Sequence, residues 1–196
     1  MPRALRLAVR ERMRADGTAE VPLDPASLDA ALDALAAAGV EAVAVCFLHS
    51  WRNPAHERRA AEAARARLPG AYVTASAEVL PEIKEYERSG TAVADALVGP
   101  VVRAYLARLG ARLAEAGLPR PPLVLLGHGG VASVGEAERL AVGTALSGPA
   151  GGVVARRRGV GDLSLVHLEL AGSGGGRGER APGRHRAFAA VAGSGG

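Results

Sequence analysis

The chain has 196 residues, 48% of them hydrophobic but only 3% aromatic, and a formal net charge of +4. That size suits one domain or a small two-lobed unit, and the apolar content excludes general disorder while requiring a core built from Ala, Val and Leu. Between Gly172 and Gly196, Arg177, Arg180, Arg184 and Arg186 stand against Glu179 alone, so this tail carries most of the charge, and the nearly neutral body argues against a nucleic-acid-binding surface.

Leu5, Leu7 and Val9 alternate with polar or small residues, which predicts a half-exposed strand. Asp16-Gly17 marks a turn, after which Ala19 to Pro22 returns as a second strand. Asp24-Pro25 pairs a capping side chain with a proline suited to a first helical turn. Leu28, Leu32 and Leu35 form the buried stripe of that helix, and Gly39 ends it. Ala42 to Leu48 is a continuous apolar run, the pattern of a strand covered on both faces.

Asn53-Pro54 repeats the cap-and-proline signal and predicts a helix over Ala55 to Leu68, followed by a strand at Tyr72 to Ser76. The alternation of strand and helix predicts an α/β sheet with crossover helices. Ile83 to Leu97 reads as a helix broken near Ser89-Gly90, and an amphipathic helix follows Pro100 and ends at Gly117. Leu123 to Leu126 reads as a short buried strand, Ser133 to Leu140 as a short helix, Val153 to Arg158 as another, and Leu163 to Leu170 as a last strand. From Gly172 periodicity vanishes, and composition predicts disorder to Gly196.

The single cysteine, Cys46, lies in an apolar run; it excludes an internal disulfide framework and fits a reducing cytoplasm. No apolar run approaches the ~20 residues that a membrane span requires. The N-terminal residues lack the long apolar stretch of a signal peptide. His49, His56 and Glu57 belong to residue types that bind metals, but their spacing matches no zinc pattern. The alternative is structural: His49 orients the loop, while Asn53 and Glu57 secure the helix start. Glu82, Glu85, Glu87 and Arg88 with Lys84 read as a solvated helical face, in which Glu85 and Arg88 can pair across a turn. Gly129-Gly130 after His128 is either a plain turn or a strand-end loop open to a substrate or phosphate. Leu146-Ser147-Gly148-Pro149-Ala150-Gly151-Gly152-Val153 combines a turn with a helix start free of bulky side chains, a pattern that commonly serves close packing and alternatively lets a ligand approach.

Four segments stand in order: Ala42 to Ser50 with Asn53 to Glu57, Ser76 to Arg88, Gly129-Gly130, and Ser147 to Gly152. Together they resemble the hydantoinase A / 5-oxoprolinase family, which also includes a subunit of acetone carboxylase; the resemblance runs from Arg3 to Leu170. It implies a fragment of an actin-like (ribonuclease H-like) nucleotide-binding fold with mixed sheet and crossover helices. It also implies residues 1–99 as the later part of the N-terminal domain, 100–171 as the beginning of the central domain, and 172–196 as a tail. Where the family usually has a Thr/Ser-rich step after Glu85-Tyr86-Glu87-Arg88, this chain has Ser89-Gly90-Thr91, and where it has Ser-Asn before the paired glycines, this chain has Gly127-His128.

The resemblance implies a parent enzyme that couples ATP hydrolysis, with Mg, to opening a cyclic amide such as hydantoin or 5-oxoproline, or to a related carboxylation. It implies a cytoplasmic protein with a hydantoinase B-type subunit or domain as partner, and neither membrane nor nucleic acid. Ser147, Gly148, Gly151, Gly152, Glu169, Gly172 and Ser173 become nucleotide-proximal candidates, and His128, Gly129 and Gly130 substrate-proximal ones; no metal ligand is assigned. Actin-like ATPases hold phosphate with two Asp-containing Gly-Thr hairpins. Nothing resembling the first precedes Leu5, and at the second Glu169 stands in place of Asp and Ser173 in place of Thr. Phosphate and Mg sites need such acidic anchors and hydroxyls at fixed spacing, so the chain alone is expected to bind neither ATP nor Mg and to be inactive. The alternative reading is a non-catalytic binding or assembly module on the same α/β scaffold.

Overall fold

The computed structural model describes residues 2–118, 120–157 and 188–194. They fall into two compact units, one of residues 2–104 with 188–194 and one of residues 105–118 with 120–157.

The first unit is built on a parallel sheet. Its strands are β1 (Arg6–Arg10), β4 (Ala42–Cys46), β5 (Tyr72–Ala75) and β8 (Phe188–Ser194), in the spatial order β1-β8-β4-β5. Every neighbouring pair is parallel. A small antiparallel hairpin follows β1, with β2 (Arg12–Met13) and β3 (Ala19–Val21) joined through Gly17 at φ 89°. Asp16 shapes that turn by accepting from the Thr18 N–H and hydroxyl.

Helix α1 (Pro25–Ala37) starts where Asp24 accepts from the Ser27 N–H at 3.1 Å, a cap worth about 1 kcal/mol. It buries Leu28, Leu32 and Leu35, each contributing roughly 1.5–3 kcal/mol of transfer free energy. Gly39 then takes a left-handed φ of 61°. Helix α2 (Ala55–Arg67) opens beside Asn53, whose side-chain oxygen accepts from the Ala55 N–H and whose amide donates to the Gly17 carbonyl.

The period-two alternation of the strands sorts their side chains between two layers. Val9, Val43, Val45, Val73, Ala75 and Val191 join Leu32, Leu35, Ala60, Ala61 and Ala64 in one core against α1 and α2. Val, Leu and Ala dominate it, as the composition requires. The short helix α3 (Ser76–Val79) follows β5 directly, and on the opposite face of the sheet Tyr72 meets helix α4 (Glu85–Glu115): its hydroxyl donates to Asp95 at 2.9 Å, and its ring fills the space where a Cβ on Gly99 would stand.

The structure corrects the sequence expectations for α4 and for the C-terminal segment. Helix α4 is continuous through Ser89-Gly90 and Pro100, where a break was expected. Arg88, Ala92, Asp95, Ala96 and Gly99 are buried along one side of it, and this packing outweighs the roughly 1 kcal/mol that glycine costs and the ~3 kcal/mol that proline costs inside a helix. Residues 188–194, expected to be disordered, form the strand between β1 and β4. The ladder bonds on both edges come from the backbone and so are indifferent to the plain composition that suggested a tail. The remainder of that tail, and the strand expected at Leu163 to Leu170, lie outside the described residues.

The second unit takes up α4 from Tyr105. It contains an antiparallel hairpin of β6 (Leu123–Leu125) and β7 (Val131–Ser133), helix α5 (Val134–Arg139), a 3-10 turn (Ala141–Thr144) and helix α6 (Ser147–Arg157). Ser133 and Glu136 form a reciprocal capping box at the start of α5. The strand expected to be buried at Leu123 is half of a two-stranded hairpin, with Leu123 and Val131 exposed. Among the described residues no helix is long and apolar enough to cross a membrane.

Candidate functional site

Parallel sheets gather loops at the carboxyl ends of their strands, and in the first unit buried polar residues collect there. Glu57, fully buried in the first turn of α2, accepts from the Phe47 N–H at 2.7 Å, the Ser76 hydroxyl at 2.6 Å and the Ala77 N–H at 2.8 Å. One carboxylate thus ties the residue after β4 to the residues after β5. Arg88, 1% exposed, donates to the Ser76 hydroxyl at 2.9 Å, the Phe47 carbonyl at 2.6 Å and the Glu82 carbonyl at 3.3 Å. Its guanidinium lies 3.8 Å from Glu85, a loose ion pair at the rim.

Glu11, just beyond β1, and His56 form a second buried pair at 2.9 Å. An ionised carboxylate only accepts, so His56 donates from Nδ1. The motif Glu85-Tyr86-Glu87-Arg88 therefore splits: Arg88 is sunk in the brace, Glu85 is partly buried, and Tyr86 and Glu87 are exposed. Only its outer side is the solvated face read from the sequence.

His49 occupies the left-handed region at φ 54°, an uncommon place for a non-glycine residue. Its N–H donates to Glu85 at 3.3 Å, and its carbonyl accepts from Arg52 and Asn53. It orients the loop between β4 and α2, as the structural alternative holds. His49 Nδ1 and Trp51 Nε1 in the same loop have no hydrogen-bond partner among the described residues. Cys46 ends β4 beside the Glu57 brace. Burial, with the Glu57 carboxylate, pushes its thiol up to about 12 against the smaller opposing effects of Ser89, Arg88 and Ser76. A thiol so perturbed is a poor nucleophile.

The second unit brings together the two sets of candidates that the sequence placed apart. Residues 126–130 form a tight turn: the Leu126 N–H donates to the Gly130 carbonyl, and Gly129 has φ 85°. Gly127 donates to the Gly143 carbonyl at 2.7 Å. A Cβ on Gly127 would lie 2.2 Å from the Ala145 carbonyl oxygen, and one on Gly129 would lie 3.3 Å from Val154 of α6. The turn thus abuts both the segment entering α6 and α6 itself. The serine of the family pattern could not occupy position 127 here without displacing Ala145. His128 is exposed, and its Nδ1 accepts from the Gly130 N–H at 3.2 Å, which leaves Nε2 to carry the proton of a neutral ring.

Leu146 takes φ 58°, and α6 begins at Ser147, so Gly148, Gly151 and Gly152 lie within its first two turns. The direction change falls on Leu146, one residue before the glycine-rich stretch. Ser147 is partly exposed, Gly148 exposed and Gly151 buried. A helix start of this kind suits an anion. Glu169, Gly172 and Ser173 lie outside the described residues.

Sequence reasoning missed Glu11 and the central place of Glu57. Glu11 carried a signal: it continues the inward parity of Leu7 and Val9 and is therefore a charge at a buried position.

Two models of one family match the chain in order: the hydantoinase/oxoprolinase N-terminal region over residues 1–68 and hydantoinase/oxoprolinase over residues 88–170. The chain is 39% identical over 150 residues to caprolactamase subunit alpha of Pseudomonas jessenii, covering 76% of this chain and 22% of that one. It is 37% identical over 131 residues to 5-oxoprolinase of Saccharomyces cerevisiae, covering 67% and 10%. The crystal structure of ATP-dependent caprolactamase from Pseudomonas jessenii matches with a TM-score of 0.72 at 38% identity, over 81% of this chain and 24% of that chain. The chain thus spans between 10% and 24% of the length of these relatives.

Proposed function

Because this chain belongs to the hydantoinase/oxoprolinase family, we propose that it is part of an ATP-dependent enzyme that opens a cyclic amide. The observation that carries this reading is the likeness, across both units of the chain, to an ATP-dependent caprolactamase at 38% identity and a TM-score of 0.72. Hydantoin, 5-oxoproline and caprolactam share a ring amide, and we take that group as the substrate class. A hydantoinase B-type subunit or domain is the proposed partner, in keeping with the subunit designation of the Pseudomonas relative, and the cytoplasm is the proposed location.

Within such an enzyme the two units take different parts. In the first, Glu57, Ser76 and Arg88 satisfy each other and the strand-end backbone. That unit is a braced scaffold. The second unit brings a glycine turn with an exposed histidine against a helix whose start is lined by Ser147 and Gly148. These groups suit positioning of a phosphate or an amide: small residues permit close approach, and N–H groups at a helix start favour negative charge. ATP, with Mg, would supply the driving force for ring opening.

By this reading the chain alone does not hydrolyse ATP, whereas a chimera with this segment in place of the matching stretch of the caprolactamase alpha subunit does so in the presence of caprolactam. ATP turnover of about 1 s⁻¹ by the isolated chain, an ordinary enzymatic rate, would refute the first statement. A chimera that folds but no longer binds ATP would refute the second.

A further inference from the structure

The strand order β1-β8-β4-β5 places the last strand of the chain between two of the earliest. Arg6 to Arg10 pair with Ala190 to Ser194 on one side, and Ala42 to Cys46 pair with Phe188 to Ala192 on the other. Parallel neighbours cannot be joined by a tight turn, and β8 is tied to neither neighbour by a short connection. We infer that the slot between β1 and β4 is a peptide-binding site for one detachable parallel strand, and that a separate peptide carrying the β8 sequence fills it in trans.

Three observations define the ligand. Two ladders of five pairs each supply main-chain recognition along both edges, the mode by which sheets capture extended peptides. Val191 enters the apolar core at 1% exposure, so the fourth residue of the strand must be a medium-sized hydrophobe. At the sixth, a Cβ on Gly193 would lie 2.1 Å from a Glu11 carboxylate oxygen. That carboxylate is held through its other oxygen by His56 and is 1% exposed, so any side chain at this position must displace a buried, paired group. Without an occupant, β1 and β4 would each present an unpaired edge. The ligand class is thus an extended segment with a hydrophobe and, two residues on, a glycine.

The test uses the full chain carrying Gly193→Val, which expels its own strand, and a synthetic peptide of residues 184–196. The Tyr72 N–H donates to the Glu41 carbonyl, which turns the odd-numbered amides of β4 toward β5 and the even-numbered ones toward β8, so hydrogen exchange at the Ala44 and Cys46 amides reads the occupancy of the slot. The expected result is exchange about 100-fold faster in the variant than in the wild type, returning to within about threefold at saturating peptide. The same peptide bearing Gly193→Val has no effect. Unchanged exchange in the variant, or no recovery with the wild-type peptide, overturns the inference. Should the variant fail to fold alone, it is refolded by dilution with the peptide: a recovered cooperative melt supports the inference, and its absence overturns it.

Discussion

Replacing Glu57 tests whether one buried carboxylate holds the strand ends together. Glu57→Ala removes the acceptor for the Phe47 N–H, the Ser76 hydroxyl and the Ala77 N–H at once. A buried donor left unsatisfied costs about 1–3 kcal/mol, and removing one member of a buried charged network costs about 3–5 kcal/mol. Arg88, 1% exposed, is left facing a serine without its carboxylate. These costs overlap because the groups are shared, so the expected loss is about 4 kcal/mol and not the sum. Glu57→Gln keeps one oxygen for Phe47 and Ser76 but turns an N–H toward the Ala77 N–H, and about 2 kcal/mol is expected. Trp51, the only tryptophan, lies in the loop after β4 and reports on the first unit alone. Urea unfolding followed by its fluorescence measures both variants. A loss below about 1 kcal/mol for Glu57→Ala, or a glutamine variant no more stable than the alanine one, would refute the bracing role.

Cys46 is raised from 9.0 to about 12, so the folded state favours the neutral thiol; its contribution to stability is full below pH 9 and is lost as pH rises from 9 towards 12. At pH 8 alkylation of native protein should run about 1000-fold slower than in urea, and a native rate within about tenfold of the unfolded one contradicts this. Ser133→Ala dissolves the capping box of α5 and should speed exchange of the Leu140 amide about fivefold; an unchanged rate shows that packing alone holds the helix. Gly127→Ala drives a Cβ into the Ala145 carbonyl, with an expected cost of about 1–3 kcal/mol. Limited proteolysis should then cut between residues 141 and 146 faster than in the wild type, and equal rates argue against the close approach.

Local chemistry determined much of this protein from sequence alone. The Asp24-Pro25 start, the Leu28, Leu32 and Leu35 stripe and the Gly39 stop each act over a few residues, and α1 forms as they dictate. The apolar run from Ala42 has no polar face to expose, and β4 is buried accordingly. The ordered motifs around His49, Arg88, Gly129 and Gly151 carried the family, because residue identity at set spacing survives without coordinates. Tertiary contact decided the rest. Whether Gly90 and Pro100 break α4 depends on what lies against Ala92, Asp95 and Gly99, and Tyr72 of β5 supplies part of that support. The work of Glu57 depends on donors 10, 19 and 20 residues away. The place of β8 depends on β1 and β4, since Phe188-Ala189-Ala190-Val191-Ala192-Gly193-Ser194 has no alternating hydrophobic period of its own. Its ladders are made by backbone groups common to every residue, so composition cannot reveal the pairing, and only the partners brought to either side make it a strand.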